Sequence, residues 1–197
     1  MTGKRLPPGP HLDLLLEALD AEAGAQRALL DADRATAAHM FDAAARRYRA
    51  SYECAPPASY GRLVGMLKAA VLGGDAAEAA RYTRRALVDA DATPTAGYAG
   101  AIAGLVLGDD EAARRGAELM RAGDERFARA ADAISGLVDR DDAAYVSACR
   151  AIVADFETRS EHLTGVAIAD TAAMLEALAA GRSMACRPES ALMPAPV

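Results

Sequence analysis

Apolar residues recur along this chain at three- and four-residue intervals, the period of a helix that buries one face. Leu12, Leu15, Leu16 and Leu19 mark one face of a first helix, and Phe41, Ala45, Tyr48 and Tyr52 one face of a second. Leu63, Leu67, Ala70 and Val71 do the same in a third, and Tyr98, Ile102 and Leu105 in a fifth. Tyr145, Cys149, Ile152 and Phe156 make the cleanest stripe, with Arg150, Asp155 and Glu157 lying off it. No run of strand length alternates apolar and polar residues. The pattern predicts an all-α protein of about eight or nine helices.

Stop signals divide the stripes. Pro56 and Pro57 end the second helix, because proline lacks the N–H and restrains the residue before it. Thr93-Pro94 reads as an N-cap followed by proline at the first helical position. Gly123-Asp124 closes one helix and caps the next. Asp75, with Glu78 three residues on, reads as a capping box, and Gly181 sits where a helix-ending glycine belongs.

The turns also repeat. Leu72-Gly73-Gly74-Asp75-Ala76 returns as Leu107-Gly108-Asp109-Asp110-Glu111 and, more weakly, as Val138-Asp139-Arg140-Asp141-Asp142. The offsets of about 35 and about 31 residues are close to the ~34 of a tetratricopeptide helix pair. Short turns force antiparallel pairs, and each pair must stack on its neighbour to bury its stripe. The consensus aromatics and closing proline of that repeat are absent. The expected architecture is therefore an irregular tetratricopeptide-like stack. Residues 1–10 read as a flexible N-terminus, 11–181 as a single helical domain, and 182–197 as an extended tail packing on the last helices.

Composition adds a constraint on the core. The chain has 197 residues and is rich in alanine, with 5% aromatics and no tryptophan. Small side chains favour helix and let helices approach closely. A net charge of −6 argues against a nucleic-acid partner, which would call for a basic stripe. The clusters Arg46-Arg47, Arg84-Arg85 and Arg114-Arg115 lie beside acidic residues, as solvated helix faces do. The uncharged run from Ala92 to Gly108 is broken by Pro94, Gly97, Gly100 and Gly104 and is too short to span a bilayer. Lys4 and Arg5 are followed by Pro7, Pro8 and Pro10 rather than by an apolar signal core. The three cysteines, Cys54, Cys149 and Cys186, form no disulfide framework. These features suit a cytoplasmic protein with no membrane contact.

Candidate chemistry is sparse. His11, His39 and His162 show no helical metal-ligand spacing, and none has a cysteine nearby. Gly97, Gly100 and Gly104 match no dinucleotide or phosphate loop; their spacing suggests close helix packing. Asp139, Asp141 and Asp142 lack the glycine and terminal glutamate of a calcium loop, and carboxylates at a helix N-terminus are the ordinary explanation. No catalytic residue, metal ligand or cofactor is expected, and the chain reads as a binding protein rather than an enzyme. If a pocket exists, Tyr98, Tyr145 and His162 are the first candidates to line it. Glu161-His162 is the one local acid–histidine pair, but neighbours in sequence point to different sides of a helix.

Three features together resemble a known family. The turns Gly73-Gly74-Asp75 and Gly108-Asp109-Asp110 each lead into an alanine-rich helix. The segment Leu137 to Tyr145 opens a helix that ends at Asp155-Phe156-Glu157. The run Ile168 to Ala179 leads to Gly181 and a tail finishing at Leu192-Met193-Pro194. Over roughly residues 60–197 this is similar to the immunity 49 family of bacterial polymorphic-toxin immunity proteins. The resemblance implies a helical protein that binds and neutralises a cognate toxin, with no catalytic residues. A regulatory adaptor of the tetratricopeptide type, with a peptide groove, is one alternative. A small-molecule-binding or self-resistance protein, with a closed pocket and convergent polar groups, is another. Oligomeric state is not encoded legibly.

Overall fold

Alanine-rich segments with few β-branched residues, separated by short turns, have little alternative to helix. The computed structural model describes residues 9–195 and contains nine helices and no strand among them. They are α1 (Pro10–Leu30), α2 (Arg34–Glu53), α3 (Gly61–Gly73), α4 (Ala77–Ala86), α5 (Pro94–Leu107), α6 (Asp110–Met120), α7 (Glu125–Asp139), α8 (Asp142–Glu157) and α9 (Asp170–Ala180). None is long and apolar enough to cross a membrane. Of the opening stretch expected to be loose, residues 1–8 lie outside the described residues; Gly9 precedes α1 and Pro10 begins it.

Helices adjacent in sequence pack most extensively, α1 with α2, α5 with α6, α2 with α3, and α7 with α8. The first repeated turn is the exception to the expected pairing: α3 and α4 barely touch, and α3 packs on α2 and α5 while α4 packs on α5. The pairs stack so that α3, α5 and α7 touch in a row. α9 returns across that row to contact α3, α7 and α8. The stack is therefore closed on one side by its own last helix.

The turns follow from their caps. Gly74 and Gly108 hold φ of 95° and 71°, which favour glycine. In the third turn Arg140 adopts the same left-handed conformation, with φ 56°. Asp109 and Asp141 then cap α6 and α8, accepting from the Ala112 and Ala144 amides at 3.0 Å each. Thr93 and Asp124 cap α5 and α7 in the same way. Two expected signals differ. Asp75 makes no cap, because α4 starts after Ala76 and has no side-chain cap. Gly181 keeps φ −64°, an ordinary helical value, so no glycine-specific conformation ends α9.

The α5–α6 seam shows why alanine and glycine dominate. A Cβ at Gly97 would lie 2.8 Å from the Gly116 carbonyl oxygen, and one at Gly116 2.7 Å from the Ala101 amide nitrogen. Gly104 would similarly meet the Ala113 amide at 2.6 Å. Gly100 takes no part in this close approach.

The leucine stripe of α1 is only half the expected face. Leu15 and Leu19 pack on the core, but Leu16 is 64% exposed. The inward face instead carries Ala18, Glu22, Ala25 and Gln26, all buried. Polar side chains belong there because α1 and α2 face a buried polar network.

Residues beyond α9 lie along the surface of the last pairs. Arg182 bonds Asp110 at 2.6 Å, and Met184 is buried. The Ala169 amide donates to the Leu192 carbonyl at 2.8 Å, and Ser190 donates to Glu157 at 2.7 Å.

Candidate functional site

Where α9 and the segment 158–169 cross the row of α3, α5 and α7, they leave a cleft of about 390 Å³. Its floor is polar and its walls are aromatic. On the floor, Lys68 of α3 is ion-paired to Asp170 at the start of α9, the two side chains being only 12% and 15% exposed. Lys68 also donates to the Thr171 hydroxyl at 3.2 Å. Burial works against the Lys68 charge, but Asp170, Tyr98 and Glu22 outweigh it and hold its pKa above the ordinary value. Lys68 is therefore a fixed cation.

Behind the floor runs a chain of hydrogen bonds. The Tyr48 hydroxyl donates to Glu22 at 2.5 Å, and Gln26 donates to the same carboxylate at 3.3 Å. Thr164 donates to Gln26 at 2.5 Å, tying the crossing segment to α1. Burial raises the Glu22 pKa; Lys68 and Tyr48 oppose it without cancelling it.

The walls come from α5, α7 and α8. Tyr98 and Phe127 meet edge-to-face with centroids 6.2 Å apart. Phe156 stacks on His162 at 6.1 Å, and Arg159 lies over the Phe156 ring at 3.6 Å. Asp155 receives Arg129 at 2.6 Å and Arg159 at 2.5 Å. Burial would raise the Asp155 pKa, but Arg159, Arg129 and Arg126 bring it below the ordinary range. The lining carries four cationic residues, Lys68, Arg126, Arg129 and Arg159, against two carboxylates, Asp155 and Asp170. Each of these cations is already ion-paired: Lys68 with Asp170, Arg159 with Asp155, Arg129 with Asp155 and Glu125, and Arg126 with Asp124.

Two polar atoms on the lining residues lack partners. The buried Tyr98 hydroxyl lies close enough to Thr171 and Lys68 to feel them, yet no atom meets hydrogen-bond geometry with it. The Nδ1 atom of His162 is likewise buried and unpaired. A buried polar group without a partner is costly, and both atoms are sealed from the open cleft by the residues around them.

Of the four residues singled out from sequence, the structure brings Tyr98 and His162 into this cleft. Glu161 is exposed and does not line it. Tyr145 is fully buried elsewhere, with its hydroxyl donating to Glu176 at 2.5 Å. Lys68, Asp170, Glu22 and Asp155 carry the cleft's electrostatics but have no motif in common. The only local clue is Lys68, one of two lysines in the chain and placed on a helix whose only other charged residue is Arg62.

Glu176 anchors a second cluster. One of its oxygens accepts from the Cys186 amide at 3.1 Å, the other from the Arg187 amide at 2.6 Å. The Cys149 and Cys186 thiols lie 3.9 Å and 3.4 Å from the first oxygen. Burial pushes the Cys149 thiol up to about 11. Both cysteines, like Cys54, are free thiols.

Compared with known proteins, the chain matches no family model, no curated sequence and no solved structure.

Proposed function

We propose that this is a non-catalytic binding protein whose cleft receives an acidic element of its partner, and that the partner is a protein toxin that it neutralises. The observation that carries the binding reading is the cleft, lined by four cationic residues and two carboxylates between aromatic walls. Fixed cations at a docking site steer an acidic partner and set its register. The resemblance of residues 60–197 to the immunity 49 family supplies the identity of the partner. The segment that crosses the cleft and α9 both fall within that stretch.

The volume favours a second reading, in which the occupant is a small anionic molecule. About 390 Å³ falls within the ~300–1,000 Å³ of ordinary ligand pockets.

Co-expression with the proteins encoded by neighbouring genes, in search of a toxin domain among them, tests the first reading. A stoichiometric complex that weakens with salt, together with restored growth, is the expected outcome. Absence of both, with a small anion retained in the purified protein under native mass spectrometry, would replace the first reading with the second.

A further inference from the structure

Cys149 on α8, Glu176 on α9 and Cys186 beyond α9 come from three separate parts of the chain. Their ligand atoms nevertheless lie within 4.8 Å of one another. We propose that these three residues bind one zinc-class divalent cation, which fastens the segment after α9 to α8 and α9.

Geometry and donor chemistry both favour this. Zinc–sulfur bonds of ~2.3 Å and zinc–oxygen bonds of ~2.0–2.2 Å give a tetrahedron with sulfur–oxygen edges of roughly 3.6 Å. The two distances from the thiols to the Glu176 oxygen are 3.9 Å and 3.4 Å, so the donors stand near the required spacing before any metal enters. Two sulfurs and one oxygen suit zinc and its soft neighbours; calcium and magnesium take oxygen-rich shells. The site also has an outer shell. The Arg187 amide holds the second Glu176 oxygen at 2.6 Å and so fixes the carboxylate's orientation. The Tyr145 hydroxyl donates to the first oxygen at 2.5 Å and so helps orient it from outside the three donors, leaving the fourth position to water.

A plain anchoring role for Glu176 accounts for the Cys186 and Arg187 amides and for Tyr145. It does not account for two of the chain's three thiols converging on one carboxylate oxygen. On binding, each thiol loses its proton to solvent as a sulfur–metal bond forms, and Glu176 binds as the carboxylate. Nothing is oxidised or reduced.

The test is a Co²⁺ titration of the full chain carrying Cys54→Ser, which removes the one exposed thiol. It is run anaerobically with a phosphine reductant. The expected result is a thiolate-to-cobalt charge-transfer band with tetrahedral d–d bands. The bands saturate at one equivalent and are lost on adding Zn²⁺. Adding Cys186→Ser, a change outside the helices, should cut the charge-transfer intensity by at least half, because only the Cys149 thiolate remains. It should also weaken Zn²⁺ by more than the roughly 10–100-fold that an outer-shell partner is worth. Zn²⁺ should raise the Tm of the Cys54→Ser protein and leave the Cys186→Ser protein unchanged. No charge-transfer band, or a band and a Tm shift undiminished by Cys186→Ser, would overturn the proposal.

Discussion

The α5–α6 seam and the cleft floor are both buried contacts between helices, yet they are built in opposite ways. The seam joins neighbours in sequence and consists of glycine and alanine backbones in direct contact. The floor joins α1, α2, α3 and α9 through Glu22, Tyr48, Lys68 and Asp170. Small residues make the first contact nearly indifferent to what lies elsewhere in the chain. The second requires each charge to find a particular partner far away in sequence, and an error leaves a charge buried alone. The seam asks only for small residues, whereas the floor is specified residue by residue.

The largest effect that would break this contrast is on the cleft wall. Phe156→Ala should cost about 3–5 kcal/mol and Ile152→Ala about 2–5 kcal/mol in a denaturant titration. Arg150→Ala, on the exposed side of the same helix, should stay within about 0.5 kcal/mol. Equal costs would remove the assignment of buried and exposed faces. Next comes the floor. Lys68→Met alone should destabilise by about 3 kcal/mol by stranding Asp170, whereas Lys68→Met with Asp170→Leu should recover most of that loss. A double variant as unstable as the single one would mean that the pair is not coupled.

In the seam, Gly116→Ala should cost about 1–3 kcal/mol, because its new Cβ meets backbone rather than a movable side chain. Gly100→Ala, with only Leu87 at 3.7 Å, should be neutral or slightly stabilising. The pH dependence separates the two regions more finely. Glu22 has a raised pKa, so above its ordinary 4.5 the folded state keeps a proton that the unfolded chain has released. Its contribution to stability is therefore lost as pH rises through the folded value. Glu22→Gln should gain Tm relative to the parent as pH increases from 4.5 to 8, and a constant difference would contradict this. The smallest effect belongs to Arg140→Gly, which should relieve left-handed strain worth up to about 1 kcal/mol.

The same contrast explains what the sequence made legible. Helix stripes, the Thr93 and Asp124 caps and the close approach at Gly97 and Gly104 are local, so spacing points to them; Gly100 shares the spacing but not the contact, and Gly116 comes from the facing helix. The Leu16 face misled because hydrophobicity was read as burial, while α1 turns Glu22 and Gln26 inward to meet partners supplied by α2 and by residue 164. Asp75 misled because a capping box needs a helix to start at the next residue, and α4 starts one residue later. Tyr98 and His162 were identified as candidates, but Lys68 and Asp170 were invisible as a pair. Nothing in their spacing records that α9 folds back onto α3.

A paired charge reversal tests most directly whether this cleft is the binding face. Arg126→Glu changes an exposed residue at the cleft rim, and Arg85→Glu an exposed residue on α4 that does not line the cleft. With affinity for the co-expressed toxin domain as the readout, Arg126→Glu should weaken binding at least tenfold, about 1.4 kcal/mol, and Arg85→Glu should leave it unchanged. Loss of binding in Arg85→Glu with full binding in Arg126→Glu would place the partner on another face and contradict the account.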